Sequence, residues 1–258
     1  MANTVYANKI IEAKAKDLLN TSVNSRNFMS VDNELAQSAG MTKTINVYTY
    51  SGEAEEVAVG EGNLSRGSIT YASKDYTVKT VQQVFDYYDE DYMKDPSIVD
   101  NMLKGANQVM VNKMNSDFFG ECAKASLTHS LAGAELSYDG IVDAISKLNV
   151  EDESGCFVLI PNAWKADLRK DPDYKAARMG EVVYNGQVGT IAGSPVVPSK
   201  ALTDAAYVLT KDAVKLFLKK DVEIEQKRDG EIRKNTVIER AFYIVALEDA
   251  TKIVKISK

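Results

Sequence analysis

The chain has 258 residues and a mass of 28.3 kDa, with 45% hydrophobic and 26% charged residues, 15 Gly and 5 Pro. That composition fits one large folded domain or two intimate ones and excludes collagen-like, low-complexity and wholly disordered chains. A formal net charge of −6 argues against a protein that coats nucleic acid, which needs a basic face. The charge is uneven: residues 48–100 hold four Lys/Arg against eleven Asp/Glu, whereas residues 211–258 hold twelve against nine.

Residues 8–20 place Ile10, Ile11, Ala15, Leu18 and Leu19 among lysines and acids, the pattern of a short amphipathic helix. The opening residues lack the continuous apolar stretch of a secretory signal, so export is not expected. The longest apolar run, Ala241 to Leu247, has seven residues against the ~20 that cross a bilayer. Residues 20–44 are rich in Asn, Ser, Thr and Gln with scattered apolar positions, and read as an arm that needs an external surface to lie on. From Thr44 the period becomes alternation, TINVYTY, and ITYASKDYTVKTVQQVFDYY also reads as strand, with a glycine-punctuated middle. A two-stranded ribbon of this length is marginal alone in water, so it is expected to rest on its own body or a neighbour.

Asp95-Pro96 opens a helix, with Asp as N-cap and Pro at the first helical position, and apolar residues at spacings of three and four carry it to about Ala125. Thirty residues would span ~45 Å, making this the dominant element. Ser137 heads a second helix through Leu148, and CFVLIP reads as a strand buried on both faces. A short helix covers about Asn162 to Leu168, and Tyr184 to Gln187 carries the Asn-Gly signal of a tight hairpin. The end of the chain is β: VEIEQKR, a turn at Asp229-Gly230, then EIRKNTVIERAFYIVALE and a final strand TKIVKIS.

Conventional catalytic chemistry is hard to find. Cys122 and Cys156 form no disulfide framework, which fits a reducing, cytosolic origin, and one histidine, His129, leaves no Cys/His cluster with zinc spacing and reads as a helix-end residue. The acids Asp86, Asp89, Glu90, Asp91 and Asp95 lack the spacing of a calcium loop and read as a solvated approach to the helix. GEGNLSRGS and GTIAGS lack the Gly-Lys-Ser/Thr ending of a phosphate loop. Met102, Met110 and Met114 read as core filler. No catalytic residue, cofactor or metal is assigned.

The order of parts resembles the major capsid proteins of tailed bacteriophages with the Hong Kong 97-like fold. Three stretches carry the resemblance: VGEGNLSRGSITYASKDYTVKTVQQVFDYYDEDYMKDP, similar to that family's extended loop and the approach to its spine helix; QVMVNKMNSDFF in the helix; and CFVLIPNAWKADLRKD followed by GQVGTIAGSPVVPSKAL, similar to its axial domain. The resemblance implies an α+β fold in four parts. These are an N-terminal arm (1–47), an extended loop (48–80), a peripheral domain (81–131 and 218–246, spine helix 96–125) and an axial domain (132–217 and 247–258). It implies a non-enzymatic subunit made in the bacterial cytoplasm. Copies would assemble as hexamers and pentamers into an icosahedral virion shell around double-stranded DNA, with portal and scaffolding proteins as partners, no sequence-specific DNA contact and no membrane.

About 47 residues precede the loop, so either a separate scaffolding protein or a processed N-terminus is expected. No lysine lies between Lys43 and Lys74, so the loop is not expected to form an isopeptide crosslink. The charge asymmetry suggests which surfaces meet: Glu53, Glu55, Glu56, Glu61 and Arg66 of the loop against Lys219, Lys220, Lys227, Arg228, Arg233 and Lys234 of another subunit's hairpin. Two other readings compete: an encapsulin-type nanocompartment shell of the same fold, and a small metal-dependent enzyme using the carboxylates of residues 86–95.

Overall fold

The computed structural model describes residues 25–258 except 38, 61, 63–65, 132, 134, 152 and 178–188. The expected helix over residues 8–20 and the hairpin at Tyr184–Gln187 lie outside the described residues.

The chain enters through a single 3-10 turn, Ser25–Phe28, strand β1 (Ser30–Asp32) and a one-turn helix α1 (Glu34–Gln37). Strands β2 (Thr42–Ser51) and β3 (Ser68–Thr77) pair antiparallel as a two-stranded ribbon, in register from Thr42↔Thr77 to Ser51↔Ser68. The alternating stretch from Ile69 to Tyr88, expected to read as strand throughout, breaks at Val78. There the backbone N–H donates to the Met41 carbonyl at 2.7 Å, and the buried side chain closes the ribbon onto the body. Strand β4 (Lys79–Tyr88) then joins a different sheet, and a short helix α2 (Asp89–Lys94) leads into the long helix α3 (Ile98–Cys122).

Helix α3 starts two residues later than Pro96 and ends three before Ala125, so its 25 residues span ~37 Å. Asp95 does not cap it as Ncap. Its carboxylate accepts from Ser97 N–H at 2.9 Å and its carbonyl from Ile98 N–H at 3.1 Å, folding Asp95-Pro96-Ser97 into a turn that feeds the helix. The buried face of α3 presents Leu103, Met110, Met114, Phe118 and Cys122, and Met102 is partly buried beside them, so all three methionines fill core space as expected. Each large apolar side chain buried there contributes ~1.5–3 kcal/mol.

Beneath α3 lies a four-stranded sheet in the order β1-β10-β11-β4, built on the long hairpin of β10 (Val214–Asp229) and β11 (Lys234–Leu247). The expected tight Asp-Gly turn is instead a four-residue loop, Gly230–Arg233, whose last residue takes a positive φ of 52°. The second body is a six-stranded sheet in the order β5-β12-β9-β6-β8-β7. Its strands are β5 (Leu127–Ser130), β6 (Cys156–Pro161), β7 (Thr190–Ile191), β8 (Ser194–Ser199), β9 (Ala205–Thr210) and β12 (Ile253–Ser257). Helices α4 (Tyr138–Lys147), α5 (Lys165–Lys170) and α6 (Pro172–Ala177) belong to this body, with Ile141, Ala144, Leu168 and Tyr174 in the core they share with its strands. Ser137 caps α4 as expected, its hydroxyl accepting from Gly140 N–H at 3.1 Å, and the CFVLIP strand is buried at five of its six positions. His129 sits half-buried in β5 opposite Ile256, not at a helix end, because Leu127–Ser130 pairs parallel with β12.

Residues 25–37 do not await an external surface. Met29 is fully buried, Phe28 packs edge-on against Phe157 with centroids 5.3 Å apart, Leu35 enters a third cluster with Phe217 and Ile244, and β1 pairs parallel with β10. Three well-placed apolar side chains and a strand edge suffice where the average composition suggested too little burial.

Candidate functional site: the contact surfaces

The ribbon exposes an aromatic face. The register sets Tyr48 opposite Tyr71 and Tyr50 opposite Ile69, so all four side chains share one face, at 66%, 72%, 67% and 65% exposure. The Tyr48 and Tyr71 rings touch with centroids 6.3 Å apart. Four large side chains clustered in water on a two-stranded ribbon form a surface built for a partner. Sequence reasoning about charge passed over them, although the alternation in NVYTY and TYASKDY already placed the three tyrosines in phase.

Beyond Ser51 the chain runs through an exposed segment that carries Glu53, Glu55, Glu56 and Arg66, all exposed; Glu61 lies outside the described residues. The basic candidates on the C-terminal hairpin behave differently. Lys219 is half-buried in the region of β10 where register shifts mark a bulge, and Lys220 donates to Glu223 at 2.7 Å. Lys227 is exposed. The other three are held within the subunit by the acids that precede the long helix. Arg228 reaches Asp89 at 2.8 Å, Arg233 reaches Glu90 at 2.8 Å, and Lys234 reaches Asp86 at 2.7 Å. Asp89 is buried and also accepts from Asn235 at 2.8 Å, while its N–H donates to the Arg233 carbonyl at 3.1 Å. Hydrogen bonds from Lys234 and then Thr236 hold the Asp86 carboxyl below its usual range. Three of the five acids expected to be a solvated approach to the helix, Asp86, Asp89 and Glu90, are therefore a clamp: they pin the end of β4 and the start of α2 to the hairpin tip ahead of α3. With Asp86, Asp89, Glu90, Asp229 and Glu231 beside Lys227, Arg228, Arg233 and Lys234, the tip is close to neutral.

A second polar node ties the ribbon's base to α3. The Asp117 carboxylate, with a side chain only 8% exposed, accepts from Lys79 at 3.0 Å, Lys113 at 2.9 Å and the Tyr243 hydroxyl at 3.1 Å. Burial works to raise the Asp117 carboxyl, but the two ammonium groups outweigh it and hold it below its usual range. Burial first, and the Asp117 charge second, push the Tyr243 phenol well above its usual range. Tyr76, one residue short of the end of β3, donates to Glu121 at 3.4 Å. No group of three or more metal-ligating side chains occurs among the described residues, and no helix among them is long and apolar enough to cross a membrane.

A long helix on a long hairpin, a second mixed sheet and a two-stranded ribbon marginal on its own make up the subunit. Residues 71–256 match the family model of phage capsid proteins, and the chain belongs to that family, a structural and not an enzymatic one. It is 27% identical over 239 residues to the major capsid protein of Staphylococcus phage phiMR11, covering 90% of this chain and 85% of that protein. The capsid of the cyanophage P-SCSP1u is similar in fold, with a TM-score of 0.69 at 11% identity, covering 89% of this chain and 86% of that one. A virus-like particle from Pyrococcus furiosus is also similar in fold, with a TM-score of 0.68 at 10% identity, covering 98% and 100% of the two chains. The protein is a capsid subunit of the virion shell.

Proposed function

We propose that this chain is a Hong Kong 97-like major capsid protein whose copies form hexamers and pentamers and close an icosahedral shell around the double-stranded DNA of a tailed phage or prophage. The observation that carries the reading is the ribbon: ten paired residues per strand with an exposed aromatic face that its own subunit leaves uncovered. In this reading residues 1–47 are the arm, 48–80 the extended loop, 81–131 with 218–246 the peripheral domain and 132–217 with 247–258 the axial domain. The subunit is made in the host cytoplasm, and portal and scaffolding proteins complete the assembly. An encapsulin-type shell shares the fold, but 27% identity to a phage major capsid protein favours the phage. Expressing the chain alone and imaging it by negative stain tests the reading: closed shells of uniform size support it, and a protein that remains monomeric with and without a scaffolding partner overturns it.

The ribbon's grip comes first from its tyrosines. Replacing Tyr48 and Tyr71 together by Ser is expected to cut shell yield by about tenfold while leaving the subunit's thermal midpoint unchanged, since exposed aromatics act as anchors only once a partner desolvates them. Glu53, Glu55, Glu56, Glu61 and Arg66 face Lys219, Lys220, Lys227, Arg228, Arg233 and Lys234 of a neighbour in the proposed contact. Because four of those cations, Lys220, Arg228, Arg233 and Lys234, already hold acids of their own subunit, charge contributes mainly to encounter. Reversing Glu55 and Glu56 to Lys is therefore expected to slow assembly about two- to fivefold at low salt and less near 0.5 M, where charges are screened beyond ~4 Å. The same change at Glu151 and Glu153 should have no such effect, and light scattering during assembly reads the difference.

A further inference from the structure

Halfway along β11, on the face that packs under α3, Glu239 is fully buried and both of its carboxyl oxygens lack a hydrogen-bond partner. A buried carboxylate without a donor or a cation is intolerable in a low-dielectric interior, and the group escapes by keeping its proton. Burial accordingly pushes the Glu239 carboxyl up to about 7. A neutral carboxyl carries one donor, which needs an acceptor.

The facing helix holds one. Asn107 is 3% exposed, its amide nitrogen is committed to the Leu103 carbonyl at 2.9 Å, and its amide oxygen has no partner. The two residues fall at the same level. Strand β4 leads through α2 into the start of α3, while Lys79 at the beginning of β4 meets Asp117 late in α3, so the helix runs alongside β11 in the same direction. From the contact between Asp117 and Tyr243, Glu239 lies four residues back along the strand, ~13 Å, and Asn107 ten residues back along the helix, ~15 Å.

We propose that Glu239 and Asn107 form a proton-operated latch between the long helix and the sheet: the protonated carboxyl donates to the Asn107 amide oxygen, and loss of that proton to solvent opens the middle of the interface. Among the described residues no cation pairs with Glu239. The cross-strand neighbours of Glu239 are Gln83 on β4, half-buried, and Ile224 on β10. Among the described residues, ion pairs lie toward the two ends of the same face, Arg228 held by Asp89 at one and Asp117 with Lys79 and Lys113 at the other, and the further charged groups near the helix are Asp100 on α3, half-buried, and Arg26, held by Asp221. Lys104, the nearest basic residue on α3, is exposed. The helix is thus anchored by satisfied charges at Asp117 near its end and, through α2, at Asp89 ahead of its start, and held in the middle by one proton, so ionisation lets it bow between those points.

With its folded value raised above the 4.5 of a free glutamate, Glu239 binds more proton in the folded state, and protection of α3 falls as pH rises from about 4.5 to about 7 and levels above it. Hydrogen exchange on the purified protein, corrected for the intrinsic pH dependence of exchange, tests this. Protection of amides near residue 107 is expected to fall about tenfold between about pH 6 and pH 8.5. Glu239→Gln, which keeps a donor at every pH, should abolish the fall and preserve the higher protection at pH 8.5. Asn107→Leu should shrink it. A carboxyl carbon resonance, lost from the Glu239→Gln spectrum, should titrate near pH 7. Exchange independent of pH, a fall that survives Glu239→Gln or is undiminished in Asn107→Leu, or a Glu239 resonance that titrates below pH 5, would each overturn the latch.

Discussion

Replacing Gly52 to Gly67 by a two-residue Asn-Gly turn is expected to give a subunit that folds normally and closes no shells. Ser51 and Ser68 are the last paired residues of the ribbon, and a two-residue turn of that type joins such a pair without changing the register. The described side chains removed are exposed, so little of the subunit's own stability resides in them. The two ends already approach closely: a Cβ at Gly52 would lie 2.7 Å from the Gly67 Cα and 2.7 Å from the Tyr50 hydroxyl, which is why glycine stands there. A thermal midpoint within about 3 °C of the parent would establish normal folding. Negative-stain images should then show free subunits or open capsomers. Closed shells of parental size would mean that the ribbon's distal part plays no role between subunits.

How much of this was legible in the sequence depended on the range of the forces. The periodicities of α3, of the CFVLIP strand and of the outer part of the β10–β11 hairpin are local and could be read directly, with errors of two or three residues where turn chemistry competes with helix chemistry, as at Asp95, whereas β10 begins at Val214, eight residues before the expected VEIEQKR. The break at Val78 was hidden because Val78 is as good a strand residue as its neighbours; only its contact with Met41 separates ribbon from body. The charge asymmetry was real, but its main expression is the clamp of Asp86, Asp89 and Glu90 on residues more than 130 positions away, a pairing no local pattern contains. Glu239 left a fainter signal. It occupies the inward phase of an alternation with Val237, Ala241 and Tyr243, where an acid breaks the pattern, and such breaks are where a fold departs from packing for another purpose.

Substituting Asp117 by Ala is expected to be among the most damaging single changes in the protein, because one carboxylate joins α3, the start of β4 and the later half of β11. Its loss leaves the buried Tyr243 hydroxyl without its acceptor, and a buried polar group so stranded costs ~1–3 kcal/mol. Lys79 and Lys113 are about half exposed, at 53% and 49%, and can return to water, so losing their pairing adds less than a fully buried ion pair would, ~1 kcal/mol together. The total, about 2–4 kcal/mol, corresponds to a fall in thermal midpoint of roughly 4–16 °C for a chain of this size. Asp117→Asn keeps an acceptor for Tyr243 and should lose only the smaller, ionic part. The pH dependence separates the two contributions further. With its folded value held below that of a free aspartate, Asp117 stabilises the protein fully above about pH 4 and progressively less as pH falls through the folded value. The deficit of Asp117→Asn relative to the parent should therefore be constant near neutrality and narrow toward pH 3, a convergence that chemical denaturation at a series of pH values would reveal. A deficit that does not change with pH would show that the lysines contribute nothing through charge, and that the node is held by the tyrosine hydrogen bond alone.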